Sequence, residues 1–153
     1  MVRLSDLPSA QAKRYAELEC PSFEATPWVT GPPLSERRIA IVSSAGLVVS
    51  GEKPFRGRDA EYRVIPSTTR PDRLLLSHIS INLDRTGFEE DWNVVFPLDR
   101  LNELAADRAI GSVAATHYSF MGATDPGLME SYAREVASRL KGDSVDGVLL
   151  SPV

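Results

Sequence analysis

The chain has 153 residues, 42% of them hydrophobic and 25% charged, with a formal net charge of −4. That is length enough for one domain whose core needs neither disulfides nor a structural metal. Its 17 basic residues stand singly or in pairs such as Arg37 and Arg38, which argues against nucleic acid and anionic membrane as partners.

No apolar stretch approaches the ~20 residues of a membrane span. The amino terminus carries Arg3, Asp6, Lys13 and Arg14 and lacks the apolar centre of a secretory signal. A single cysteine, Cys20, forbids an internal disulfide, so the expected location is cytoplasmic.

Residues Pro8 to Glu19 favour helix, with Leu7, Tyr15 and Leu18 on one side, and Pro21 ends it. An arm over residues 20 to 36 follows, with Pro21, Pro27, Pro32 and Pro33 keeping it extended and Phe23 and Trp28 available to pin it to the body. Arg38 to Ser43 reads as a buried strand, and Leu47, Val48 and Val49 favour more strand. Gly51 to Arg58 is a loop, and Tyr62 to Ile65 is a strand stopped by Pro66.

Leu74 to Leu83 alternates. Ser77, Ile79, Ile81 and Leu83 share a face expected in the core, and Leu76, His78, Ser80 and Asn82 share the other. Pro97 and Asp99 open a helix that should bury Leu98, Leu101, Leu104 and Ala105, with Gly111 beyond its end. Val113 to Phe120 is a further strand. Asp125 as N-cap and Pro126 at the first helical position open a helix whose apolar face is Met129, Tyr132, Ala133, Val136, Ala137 and Leu140, closed by Gly142. Val145, Val148, Leu149 and Leu150 form a last strand.

This order predicts a single α/β domain over residues 1–153, with a mainly parallel sheet flanked by helices in a Rossmann-like three-layer arrangement. Residues 1–36 form its helix and arm, and 37–153 its body.

An extended backbone would project His78, Ser80, Asn82 and Asp84 from one face, and His117 and Ser119 from one face of the next strand. Histidine exchanges protons near neutral pH, and Asp84 would orient it or neutralise a cation. Each row reads equally as a site wall or as polar groups satisfied by solvent or fold. Ser43, Ser44, Ala45 and Gly46 follow a strand, but no glycine-rich helix start comes after them, so a phosphate cradle has little support. No serine sits in a GxSxG, and Cys20, His78 and His117 lack zinc-ligand spacing, so no metal is expected. Met121 and Met129 read as core or loop anchors.

Several runs together resemble a known family. They are Ser44-Ala45-Gly46-Leu47 with Gly51-Glu52-Lys53-Pro54-Phe55, then Tyr62-Arg63-Val64-Ile65-Pro66, then Ser77-His78-Ile79-Ser80-Ile81-Asn82-Leu83-Asp84-Arg85-Thr86-Gly87. Asn93-Val94-Val95-Phe96-Pro97-Leu98-Asp99-Arg100-Leu101, Gly111-Ser112-Val113-Ala114 and His117-Tyr118-Ser119-Phe120-Met121-Gly122 complete them. Their order is similar to the selenoprotein B family of glycine, sarcosine and betaine reductases, which includes the selenocysteine subunit of D-proline reductase. The resemblance covers about residues 38 to 153.

It implies an oxidoreductase subunit that cleaves a carbon–nitrogen bond reductively, with a disulfide as acceptor in the reverse sense. In the family, the strand matching Asp146 to Val153 is followed by selenocysteine or cysteine, commonly with another cysteine shortly after. The chain is therefore expected to be an N-terminal fragment, translated from a gene whose in-frame UGA was read as a stop. Cys20 does not occupy the redox position, so none of the residues present is the redox group.

The resemblance further implies a pyruvoyl group on a partner subunit, a small selenoprotein that accepts the carbon fragment, and a thioredoxin-like reductant. It places His78, Asp84, Arg85, His117 and Ser119 near the pocket, with a histidine as proton donor to the departing amine. Arg85 would clamp a carboxylate, or equally hold a loop through Asp84 or Glu89. Two other readings stay open: a non-catalytic α/β module that binds a small molecule or partner subunit, and a stand-alone thiol or selenol oxidoreductase.

Overall fold

The computed structural model describes residues 3–17, 24, 26, 28–81 and 83–153. The expectations for Leu18, Glu19, Cys20, Pro21, Phe23, Pro27 and Asn82 lie outside those residues. The first helix, α1, is Ser9–Ala16, and none of its residues is buried. Tyr15 is half exposed, so the helix presents no apolar stripe to the body.

The central strand β1 is Arg38–Ser43. Its side chains alternate, as a strand covered on both faces requires. Ile39 and Ile41 join a core with Phe96, Leu98 and Leu101, whereas Ala40 and Val42 pack with Tyr118, Phe120, Val136 and Leu140. Helix α3, Leu98–Ala106, therefore covers one face and helix α4, Pro126–Gly142, the other. The three-layer expectation holds.

One edge of β1 pairs in parallel with β5, Ser112–Val113, at its start and with β6, Thr116–Ser119, at its end. Its other edge pairs in parallel with β7, Gly147–Ser151, in register from Ile39↔Gly147 to Ser43↔Ser151. Strand β3, Arg63–Pro66, runs antiparallel to β6. A small antiparallel ribbon of β2, Leu47–Val49, and β4, Leu74–Leu76, stands apart from this sheet.

Several expectations are corrected. Trp28 does not pin the arm, for it is 89% exposed. The arm is held instead where Arg37 Nε donates to the Pro32 carbonyl at 2.6 Å. Val113 to Phe120 is not one strand, because the chain breaks between β5 and β6, where Ala114 donates to Ile39 and Ala115 accepts from Ser67.

The alternating segment is a strand only through Leu76. Beyond it Ile81 is 96% exposed while His78 is buried, the reverse of the expected faces. Leu104 is exposed on α3, as are Ala133 and Ala137 on α4, so each helix buries a narrower stripe than its sequence suggests. Pro66 closes β3 as its last residue, which costs nothing at a strand end on the sheet edge. The turns after α3 and α4 use Arg108 and Ser144 at positive φ instead of glycine.

Candidate functional site

The carboxyl ends of β1, β6 and β7 meet on one side of the sheet, where α/β proteins place ligands and reacting groups. The final register pair, Ser43 and Ser151, is fastened there: both hydroxyls donate to the Val95 carbonyl at 2.9 Å. Beyond it the Ser44 amide donates to the Ser151 carbonyl at 3.0 Å. The Val153 amide donates to Ser44 Oγ at 2.8 Å.

Beside these groups opens a cleft of about 240 Å³, lined among others by Val42, Phe120, Met129, Leu150 and Pro152. No charged side chain lines it. Met129 reaches it from α4, which Asp125 starts by accepting the Gly127 amide at 2.8 Å.

Nearby, β1 turns through Gly46, whose φ of +68° suits a residue without Cβ. A Cβ there would lie 2.8 Å from Met121 Cε and 3.1 Å from His78 Cα. This contact brings His78 against the end of the central strand. Its Nδ1 accepts the Ser80 amide at 3.1 Å, and Arg85 Nη2 donates to its carbonyl at 2.6 Å. Arg85 Nη1 reaches the Leu76 carbonyl at 3.3 Å, so the guanidinium holds the 76–78 backbone through carbonyls. Asp84 accepts the Thr86 amide at 3.0 Å at the start of a short helix, α2, Thr86–Glu90.

His117 and Ser119 do share a face, and both are fully buried. Each satisfies a backbone amide: His117 Nδ1 accepts from Ile41 at 3.0 Å, and Ser119 Oγ accepts from Leu47 at 2.8 Å. The structure thus brings His78 and Arg85 together, puts Asp84 on the adjacent helix start, and sets His117 and Ser119 beneath β1 and β2. None of the five lines the apolar cleft.

Electrostatics follow from burial. His117 is pushed down to about 4 because its charged form would lose its water, and its ring stands edge-on to Phe96 at 5.6 Å. His78 is lowered by burial first and by the Arg85 charge second. Because each Nδ1 accepts an amide, the proton of each neutral ring sits on Nε2, and both Nε2 atoms are buried without a partner among the described residues. Asp84 is held below the usual carboxylate range by its hydrogen bonds from Thr86. Among the described residues no cluster of His, Cys, Asp or Glu could hold a metal ion, and no helix is long and apolar enough to cross a membrane.

The sequence raised Ser44 only within a poorly supported phosphate cradle and did not single out Ser151 or Gly122. The available signal was position: a serine immediately after a buried strand lies at a carboxyl end.

A mainly parallel sheet covered on both faces by helices, with an apolar cleft and hydrogen-bonded serines at its strand ends, defines an α/β protein. The chain belongs to the glycine/sarcosine/betaine reductase selenoprotein B family, whose description matches residues 10–153. It is 30% identical over 134 residues to the D-proline reductase subunit gamma of Acetoanaerobium sticklandii, covering 80% of this chain and 54% of that protein.

It is also 30% identical over 143 residues to the glycine reductase complex component B subunit gamma of Symbiobacterium thermophilum, covering 88% of this chain and 33% of that protein. A betaine reductase complex component B subunit beta of Peptoclostridium acidaminophilum is 29% identical over 123 residues, with 77% and 28% covered. The chain thus spans about half the length of the first of these relatives and about a third of the others. No solved structure matches it.

Proposed function

We propose that this chain is the sheet-bearing part of a reductase-complex subunit that cleaves a carbon–nitrogen bond in glycine, a methylated glycine or D-proline, with its redox residue, selenocysteine or cysteine, directly beyond Val153. The carrying observation is where Val153 lies, held by Ser44 at the carboxyl ends of the parallel strands. The adjoining cleft holds neither a carboxylate to repel an ionised chalcogen nor a cation to stabilise it, so in this reading ionisation rests on the greater acidity of a selenol and on access to solvent. Such a residue supplies the nucleophile and, with a neighbouring thiol, the two electrons of the cleavage, which an external thioredoxin-like dithiol restores.

The residues present would hold and orient. Arg85 fixes the 76–78 segment, and the His78 ring, kept neutral with Nδ1 on the Ser80 amide and Nε2 buried away from the cleft, supports that segment behind the strand ends. The substrate amine would arrive on the pyruvoyl group of a partner subunit, and a small selenoprotein would take the carbon fragment. The relatives' names, as subunits or components of reductases, support a multi-subunit complex, and a cytoplasmic location is part of the proposal.

The test is the codon after Val153 together with selenium analysis and the intact mass of the native product. UGA followed by an open frame that soon encodes cysteine is expected. UAA or UAG, with a native mass ending at Val153, would remove the redox reading and leave a non-catalytic α/β module.

A further inference from the structure

The bonding at the end of β7 departs from a regular sheet at one atom. In a parallel ladder each residue facing its neighbour sends its amide to one carbonyl and receives the amide two residues further on. Ser44 obeys the first half: its amide goes to the Ser151 carbonyl at 3.0 Å. Regular pairing would then send the Val153 amide to the Ser44 carbonyl.

That carbonyl is instead taken from the other side, by the Gly122 amide at 2.8 Å. The parallel ladder ends where Phe120 donates to Ser43, and the two segments then meet in an antiparallel bridge, Ala45↔Met121, made by the Gly46 amide on the Phe120 carbonyl and the Gly122 amide on the Ser44 carbonyl. Ala45 donates to Ser43 Oγ at 3.2 Å, and this reversal turns the Ser44 carbonyl away from β7.

The Ser44 hydroxyl fills the vacated step. It accepts the Val153 amide at 2.8 Å and lies 3.4 Å from the Val153 carbonyl as a donor. Alanine at this position would leave β7 unfastened past Ser151. Gly122 completes the arrangement, since a Cβ there would lie 2.8 Å from the Ser44 carbonyl and 3.0 Å from that of Val153.

We propose that Ser44, with Gly122 beneath it, is a positioning residue: its hydroxyl replaces a main-chain acceptor and fixes the direction in which the chain leaves Val153, and hence the place of the redox residue. The role rests on the redox reading above, whereas the hydrogen bond does not. Neither residue touches the substrate in this scheme. Each acts through the backbone of Val153.

The bond is tested in the 153-residue chain by amide hydrogen exchange of Val153, followed by nuclear magnetic resonance, in wild type, Ser44→Ala, Ser44→Thr and Gly122→Ala. The Val153 amide is expected to exchange about five- to tenfold faster in Ser44→Ala than in wild type, with near wild-type protection in Ser44→Thr and unchanged protection in the middle of β1. Gly122→Ala should speed Val153 exchange without altering α4. A Val153 amide that exchanges at the free-chain rate in wild type, or equally in wild type and Ser44→Ala, overturns the clasp.

The role is tested in the native reductase component by kcat and KM. Ser44→Ala should lower kcat about tenfold at unchanged KM, with recovery in Ser44→Thr. Equal kcat in Ser44→Ala and wild type overturns the role. A native product that ends at Val153 also overturns it, while the exchange result would still stand for the bond, so failure of the clasp and failure of the redox reading are separable.

Discussion

The amide of Ile41 donates to Nδ1 of His117 at 3.0 Å, at a step of the β1–β6 ladder where regular pairing would offer the Thr116 carbonyl. An imidazole therefore serves as part of the central sheet, and it can do so only while Nδ1 is unprotonated. Folding lowers the affinity of His117 for a proton, from an ordinary value of 6.5 to about 4. Above about pH 6.5 the full contribution is present. Between about 6.5 and 4 the unfolded chain binds more proton than the folded one, so stability falls as the pH falls through that window.

The loss from this one group is on the order of 3 kcal/mol by pH 4. Urea unfolding at several pH values should show it, and His117→Gln, whose carbonyl can still accept the Ile41 amide, should flatten most of the slope. His78 works in the same direction and leaves a residual slope. An equal pH slope in wild type and His117→Gln would contradict this account.

Arg85 has two effects on the His78 segment. Its hydrogen bonds to the His78 and Leu76 carbonyls order the loop, and its charge adds to burial in holding the His78 ring neutral. Arg85→Ala is expected to cost about 1 kcal/mol of stability and to raise the His78 titration midpoint toward its ordinary value. Proton chemical shifts of the His78 ring against pH read the second effect directly. A midpoint unmoved in Arg85→Ala would mean that burial alone sets the ring's charge.

The three layers were legible because β1 is apolar on both faces and because Asp125 and Pro126 announce α4, signals carried by local sequence. The site was less so. His78 and Ile81 sit in a segment whose period of two mimics a strand, yet β4 stops at Leu76, because the backbone beyond Ser77 bonds to side chains: the His78 carbonyl accepts from Arg85 and the Ser80 amide donates to His78 Nδ1.

Periodicity cannot register such competition. The role of His117 as a backbone acceptor, and of Ser44 as a stand-in for a carbonyl, depends on partners tens of residues away, and no spacing within one strand encodes them. Trp28 misled in a simpler way, since a large apolar residue in a proline-rich arm need not be covered.

Gly46 offers a sharper test of the site's packing. Its positive φ and the approach of Met121 Cε and the His78 backbone leave no room for a methyl group. Met121 can swing aside, but the His78 main chain, tied by Arg85, cannot. Gly46→Ala is expected to destabilise the fold by roughly 1–3 kcal/mol and to shift the amide resonances of His78 and Ser80. Gly51, also at positive φ but with nothing within 4 Å, should lose less on the same change and serves as the control for backbone strain alone.

The outer edge of β7 carries the last consequence. Among the described residues β7 pairs with β1 only, while Val148, Leu149 and Leu150 are 43%, 38% and 68% exposed. The ladder directs the Ser151 carbonyl inward to Ser44, so by alternation the polar backbone groups of Val148 and Leu150 face outward. An apolar strand with free donors and acceptors, and with no charge between Gly147 and Val153, is a template for pairing with another chain. Studied as these 153 residues, the protein is expected to self-associate with rising concentration, visible by sedimentation velocity. Val148→Lys places a charge on that strand and should shift the association to higher concentration while leaving the thermal midpoint of the dilute protein within a few degrees. A wild-type chain that sediments as a monomer at all concentrations would show that this edge is protected by something other than a paired strand.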